Sequence, residues 1–241
     1  MREVNTELML TGDVMLGRGV DQILPHPGDP TLFESYMRSA DGYVALAETE
    51  NGPIPAPVDF SYIWGDALEV MARRRPDARI VNLETAVTRR GEPAPKGINY
   101  RMTPENLPAV TAAGIDCCVL ANNHVLDWGP QGLVDTVDAI AGAGMQSCGA
   151  GRDAARATAP AVVPLPRGRR LVVHAFASPT SGVPMQWAAG AGRPGPVSTT
   201  AGRFDYRGDY RHERKNVYQG NDCPGVGTAI SGTGDGRQFQ Q

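Results

Sequence analysis

Three times along the chain a short apolar run gives way at once to a cluster of polar residues. The runs are ELMLTGDVMLGR (7–18), ARIVNLETAV (78–87) and GIDCCVLANNHVLDWG (114–129), and they predict strands at about 7–11, 79–83 and 115–120. Between and after them lie segments that predict helices: YIWGDALEVMARRR (62–75), PENLPAVTAAG (104–114) and PQGLVDTVDAIAGAG (130–144). The last two open on proline and close on glycine, the usual punctuation of a helix. Leu133, Val134, Val137, Ile140 and Ala141 give the third an apolar stripe. Strand alternating with helix predicts an α/β fold, a mostly parallel sheet with flanking helices. Farther on, AVVPLP and RRLVVHAFA, separated by a turn at RGR, predict two more strands in a hairpin.

At about residue 197 the pattern stops. From there to 241 the chain is rich in Gly, Arg, Asp and Gln, and it has no period of 2 or 3.6. Such a segment buries too little apolar area to offset the entropy of ordering it, so 197–241 is expected to be a disordered tail behind a domain at 1–196.

Composition changes the picture little. The chain has 241 residues, 41% apolar and 20% charged, enough for a sizeable core. Its 29 glycines and 20 prolines point to many turns and long loops. A net charge of −3 gives no pull towards nucleic acid. No apolar stretch is long enough to cross a bilayer, and the apolar run of the N-terminus is broken by Gly12 and Asp13, so a cytoplasmic protein is expected. Cys117 and Cys118 are neighbours inside an apolar run, point to opposite faces of a strand and lack zinc-ligand spacing. They and Cys148 read as small buried hydrophobes.

The three strand ends carry the candidate chemistry. They present Asp13, then Asn82 and Glu84, then Asn122, Asn123 and His124. In open parallel sheets ligands bind at the carboxyl ends of the strands. Carboxylate, amide and imidazole donors together suit a divalent metal (Mn, Fe, Zn or Mg) rather than a thiolate site. Taken singly, TGD is an ordinary turn, Glu84 a solvated loop residue, and Asn123 and His124 a helix entrance with polar caps. Recurrence at three strand ends favours a joint site. Asp127 has two open roles: N-cap of the helix at 130–144, or a carboxylate that accepts from the His124 ring and fixes its tautomer. His26, His174 and His212 read as structural or solvated, and GAGRD (149–153) as a glycine turn rather than a phosphate cradle. No G-x-S-x-G elbow, P-loop or catalytic Cys–His spacing is present, which disfavours a side-chain nucleophile.

Taken together, GDVMLGRGVDQ (12–22), RIVNLETAVT (79–88), KGINYRMTPENLPAV (96–110) and GIDCCVLANNHVLDWGPQGL (114–133) resemble the CapA family of capsule and poly-γ-glutamate synthesis proteins. The resemblance covers roughly residues 7–196, and its Asn-Asn-His-x-x-Asp-x-Gly string is the most specific part. It implies a metallo-dependent-phosphatase-like sandwich. It also implies metal positions at Asp13, Glu84, Asn123 and His124, catalytic positions at His124 and Asp127, and a divalent metal as cofactor. Family members continue with further strands and a Gly-His-x-x-His-like element, whereas here only His212 follows His174. The sandwich is therefore expected to be incomplete at its C-terminal end. Three readings follow: a metal-dependent hydrolase of phosphoesterase type, a non-catalytic accessory protein that binds poly-γ-glutamate or a synthase component, or an inactive truncated product.

Overall fold

The computed structural model describes residues 5–199 and the backbone of residues 226–232. In chain order the strands are β1 (Leu8–Val14), β2 (Ala78–Leu83), β3 (Ala86–Val87), β4 (Arg101–Met102), β5 (Cys117–Val119), β6 (Gln146–Cys148), β7 (Ala150–Gly151), β8 (Ala161–Pro164), β9 (Arg170–Ala177), β10 (Gly195–Pro196) and β11 (Val226–Gly232). The α-helices are α1 (Gly19–Ile23), α2 (Asp41–Asn51), α3 (Ala67–Arg74), α4 (Pro108–Thr111), α5 (Gly129–Gly142) and α6 (Ala154–Thr158).

The central sheet is parallel, in the order β1-β2-β5-β6. The inner strands β2 and β5 are buried on both faces, which is why β2 reads as a continuous apolar run, while the edge strand β1 leaves Leu10 exposed. One face carries Val81, Leu83, Cys118 and Leu120 and packs with Met71 of α3, Val110 of α4 and Leu133 and Ile140 of α5. The other carries Ala78, Ile80, Cys117, Val119 and Cys148, and it packs on Ala161, Val163, Leu171, Val173 and Ala175 of a second, antiparallel sheet. That second sheet has the order β11-β9-β8. Helices, parallel sheet and antiparallel sheet thus form three layers with two cores. The adjacent cysteines fall into different cores, as strand alternation requires. Burial pushes the Cys118 thiol up to about 12, so it is packing material rather than a nucleophile.

Several boundaries differ from the sequence reading. The TGD expected as a turn is strand: β1 runs on through Asp13, with an extra residue between the Leu10↔Ile80 and Asp13↔Asn82 pairs. This bulge sets the Asp13 backbone opposite Asn82 instead of one position off. The expected helices at 62–75 and 104–114 each break into a 3-10 turn followed by a shorter α-helix. Proline at 108 opens a new helix because it has no N–H to donate back into the turn before it, although Leu107 ahead of it keeps helical dihedrals (φ −55°, ψ −26°). The 161–177 hairpin forms as expected. β6 carries no apolar period, and its burial comes from pairing with β5.

The tail expected to be disordered lies outside the described residues except for 197–199 and β11. β11 pairs with β9 from Val226↔Ala177 to Gly232↔Leu171. The open edge of β9 offers a row of unpaired backbone groups, which a neighbouring segment satisfies whatever its side-chain period. Among the described residues no helix is long and apolar enough to cross a membrane.

Candidate functional site

Because β1, β2 and β5 are neighbours and parallel, their carboxyl ends lie side by side, and the three polar clusters meet there. Asn82 sits at the centre. Its amide donates to Asp13 Oδ1 at 2.8 Å and to Glu84 Oε2 at 2.6 Å. Its carbonyl oxygen accepts from the Asn122 amide at 3.0 Å. Asn122 is buried and also donates to Leu83 O at 3.0 Å, while its own oxygen takes the His124 N–H at 3.1 Å. The turn after β5 is therefore clamped to the end of β2 by one amide side chain.

Asp13 and Glu84 are close enough to interact directly as two carboxyl groups. Burial, then the hydrogen bond and charge of Asp13, push the Glu84 carboxyl up to about 7, against the opposing pull of Asn82 and Lys96.

His124 is held differently. Its Nδ1 lies 2.6 Å from Asp127 Oδ2, and its ring stacks on Tyr100 with centroids 3.9 Å apart and planes 19° from parallel. Asp127 is fully buried, accepts the Tyr100 N–H at 2.6 Å and stands 2.6 Å from Lys96 Nζ. The lysine contact is an ion pair whose angle falls short of hydrogen-bond geometry. Lys96 Nζ also donates to Asn123 O at 2.7 Å. His124 Nε2 points to the carboxylate side, 3.9 Å from Glu84 Oε1.

Of the two roles left open for Asp127, the N-cap is not the one it plays. Helix α5 is capped at Trp128 without any side-chain bond, since the Asp127 carboxylate is turned inward to His124, Tyr100 and Lys96. Asn123 stands apart from the other expected ligands: among the described residues no hydrogen bond joins its side chain to Asp13, Glu84 or His124. It packs instead at Gly182, where a Cβ would come within 3.3 Å of Asn123 Cβ. Among the described residues no three His, Cys, Asp or Glu side chains form a group able to hold a metal ion.

The other candidates have structural places. The GAGRD segment, expected as a glycine turn, carries β7, paired with β10, and leads into α6, capped by Asp153 accepting the Arg156 N–H at 2.8 Å. His26 lies beside Phe60 at 6.4 Å, and His174 is on β9, where burial lowers its pKa. His212 lies outside the described residues. Sequence reasoning did not single out Lys96 or Tyr100 as parts of the site. Both sit in an aperiodic loop that the β3–β4 pairing folds back over His124, and only their place in the family-like stretch KGINYRM marked them.

A family model described as bacterial capsule synthesis protein PGA_cap matches residues 7–215, past the point near 196 where the sequence reading ended the resemblance. The chain is 56% identical over 189 residues to a probable polyglutamine synthesis accessory protein of Mycobacterium tuberculosis, covering 78% of this chain and 50% of that one. It is 28% identical over 151 residues to the capsule biosynthesis protein CapA of Bacillus anthracis, covering 62% and 30% of the two chains. An uncharacterized protein of Sinorhizobium fredii is 32% identical over 164 residues, with 65% and 33% covered. The chain spans about half the length, or less, of these curated relatives.

Proposed function

The chain belongs to the bacterial capsule synthesis protein PGA_cap family, and from that premise we propose that its strand-end cluster is a cation-assisted hydrolytic centre serving the synthesis of a glutamate-type capsule polymer. The observation that carries this reading is the Asp13–Glu84 pair. Two carboxyl groups from different strands, bridged by the Asn82 amide, are held against their mutual repulsion beside an oriented imidazole. The donor types fit a divalent ion such as Mn, Fe, Zn or Mg. Asp13 and Glu84 would hold it, with His124 Nε2 beside them, 3.9 Å from Glu84 Oε1. When bound, such an ion supplies Lewis acidity and lowers the pKa of water.

The protein's own groups do the remaining work. Asn82 and Asn122 fix the carboxylates relative to the turn that carries His124. Asp127 holds the imidazole through Nδ1, which leaves Nε2 to take or give a proton at the scissile group. The Tyr100 ring covers a face of that imidazole and keeps water from it. On this reading the helix, parallel-sheet and antiparallel-sheet layers belong to a metallophosphoesterase-type sandwich.

A second reading has its own support. No three ligand side chains gather among the described residues, which favours a non-catalytic accessory protein that holds polymer or a synthase component. One experiment separates the two. Purified protein and its Asp13→Ala variant are titrated with Mn, Zn, Fe and Mg, and each is assayed for cleavage of phosphoester and γ-glutamyl substrates. Metal binding and turnover that Asp13→Ala abolishes support the hydrolase. Equal metal binding by the two proteins sinks it, and polymer retention without turnover favours the accessory role.

A further inference from the structure

The lysine that ends the network at His124 is in contact with three of its parts at once. Lys96 Nζ lies 2.6 Å from Asp127 Oδ1, 2.7 Å from Asn123 O and 3.3 Å from His124 Nδ1, with the Trp187 ring 5.6 Å away. An ammonium group has three hydrogens and no lone pair. His124 Nδ1 cannot both donate to Asp127 and accept from Lys96, so the geometry has to choose. The carboxylate is closer by 0.7 Å, from 2.6 Å against 3.3 Å, and an imidazole N–H pointing at an ionised oxygen makes the stronger, charge-assisted bond. With the proton on Nδ1, the ammonium donates to Asn123 O, pairs its charge with Asp127 Oδ1 and lies against the indole face of Trp187. No polar group in this arrangement is asked to play two roles.

We propose that Lys96 is a positioning residue that keeps the His124 proton on Nδ1 and so leaves Nε2 bare towards the carboxylates. It acts through two others. Its charge answers Asp127, which has no exposed surface of its own. Its bond to Asn123 O fixes the backbone immediately before the histidine. An unconstrained histidine side chain favours the opposite tautomer, with the proton on Nε2. In that form Nε2 would present N–H to the rim, unable to bind a cation or accept a proton there. Tyr100 secures the ring's plane by stacking, but stacking does not distinguish the two nitrogens. That choice falls to the Asp127–Lys96 pair. The assignment rests on the reading of His124 as a site residue.

The test is long-range ¹H–¹⁵N NMR of His124 in the metal-free protein, which reads the tautomer directly. The wild type is expected to give the Nδ1–H pattern. Lys96→Met is expected to lower the Nδ1–H to Nε2–H ratio by about tenfold or more, the usual worth of a bond to a charged group. Lys96→Arg, which keeps a cation beside Asp127, is expected to restore most of it. A Lys96→Met protein with an unchanged Nδ1–H pattern overturns the proposal, as does a wild type with the proton on Nε2. Should Lys96→Met fail to fold, Lys96→Gln, which keeps a hydrogen-bond donor and removes only the charge beside an intact Asp127, carries the test. Loss of the Nδ1–H preference there supports the assignment, and its persistence overturns it. No substrate or metal enters the measurement. A Lys96-dependent tautomer in a protein without hydrolytic activity would therefore sink only the hydrolase reading.

Discussion

The two halves of the strand-end cluster are finished to different degrees. Around His124 every charge is answered: Asp127 is buried with Lys96, the Tyr100 N–H and the imidazole arranged about it. Around Asp13 and Glu84 two carboxyl groups share one amide donor, and burial together with the Asp13 charge raises the Glu84 pKa to about 7. The difference is physical. An imidazole has to be held in one orientation before anything binds, so its supports are dry and complete. On the proposed reading the carboxylate half is a cation site, whose like charges a bound counter-charge would balance.

The largest test of this contrast is Lys96→Met. Removing one partner of a buried ion pair leaves the other charge uncompensated, so urea unfolding should show a loss of about 3–5 kcal/mol. Replacing both partners, as in Lys96→Met/Asp127→Asn, should recover most of that loss. A loss below about 1 kcal/mol from the single change would mean the pair behaves as an exposed one, and the contrast would break.

The carboxylate half should respond in the opposite sense. Glu84→Gln removes one of two repelling charges, so the metal-free protein should melt no lower than the wild type. What it should lose is stabilisation by added Mn or Zn, which in the wild type should amount to about 2.7 kcal/mol at a hundredfold excess over Kd if the proposed site binds the ion. A Glu84→Gln protein that keeps the full thermal shift would place the cation elsewhere.

Asn122→Ala severs the clamp between the halves. Stranding the Leu83 carbonyl or the His124 N–H should cost about 1–3 kcal/mol for each group left unpaired. If hydrogen exchange of the His124 amide stays as slow as in the wild type, the clamp is not what holds the turn. The smallest effect is a control outside both halves. Asp153→Ala removes the cap of α6, should cost about 1 kcal/mol, and should leave the cation response untouched.

Much of this was legible along the chain. β2, β5 and α5 follow from apolar runs and stripes, and the polar residues that end the strands mark the site because a parallel sheet brings strand ends to one edge. What escaped was set by contacts distant in sequence. Lys96 and Tyr100 lie 28 and 24 positions before His124 in a loop with no period, so nothing local reports which side chain they will meet. The bulge in β1 was hidden for the same reason. TGD is good turn sequence, and only pairing with β2 keeps it extended.

By itself the sequence determined the α/β class, the parallel sheet, the burial of its cysteines on opposite faces and the identity of the strand-end residues. These depend on side-chain period and on the residue at each position, which are local properties. The tertiary structure alone decided that Asp127 faces His124 rather than the end of α5, that Asn82 and Asn122 tie the halves together, and that Lys96 closes the network. A carboxylate can serve a helix end or an imidazole equally well. Which it serves depends on where the cation stands, and the fold carried that cation in from a loop 31 residues away.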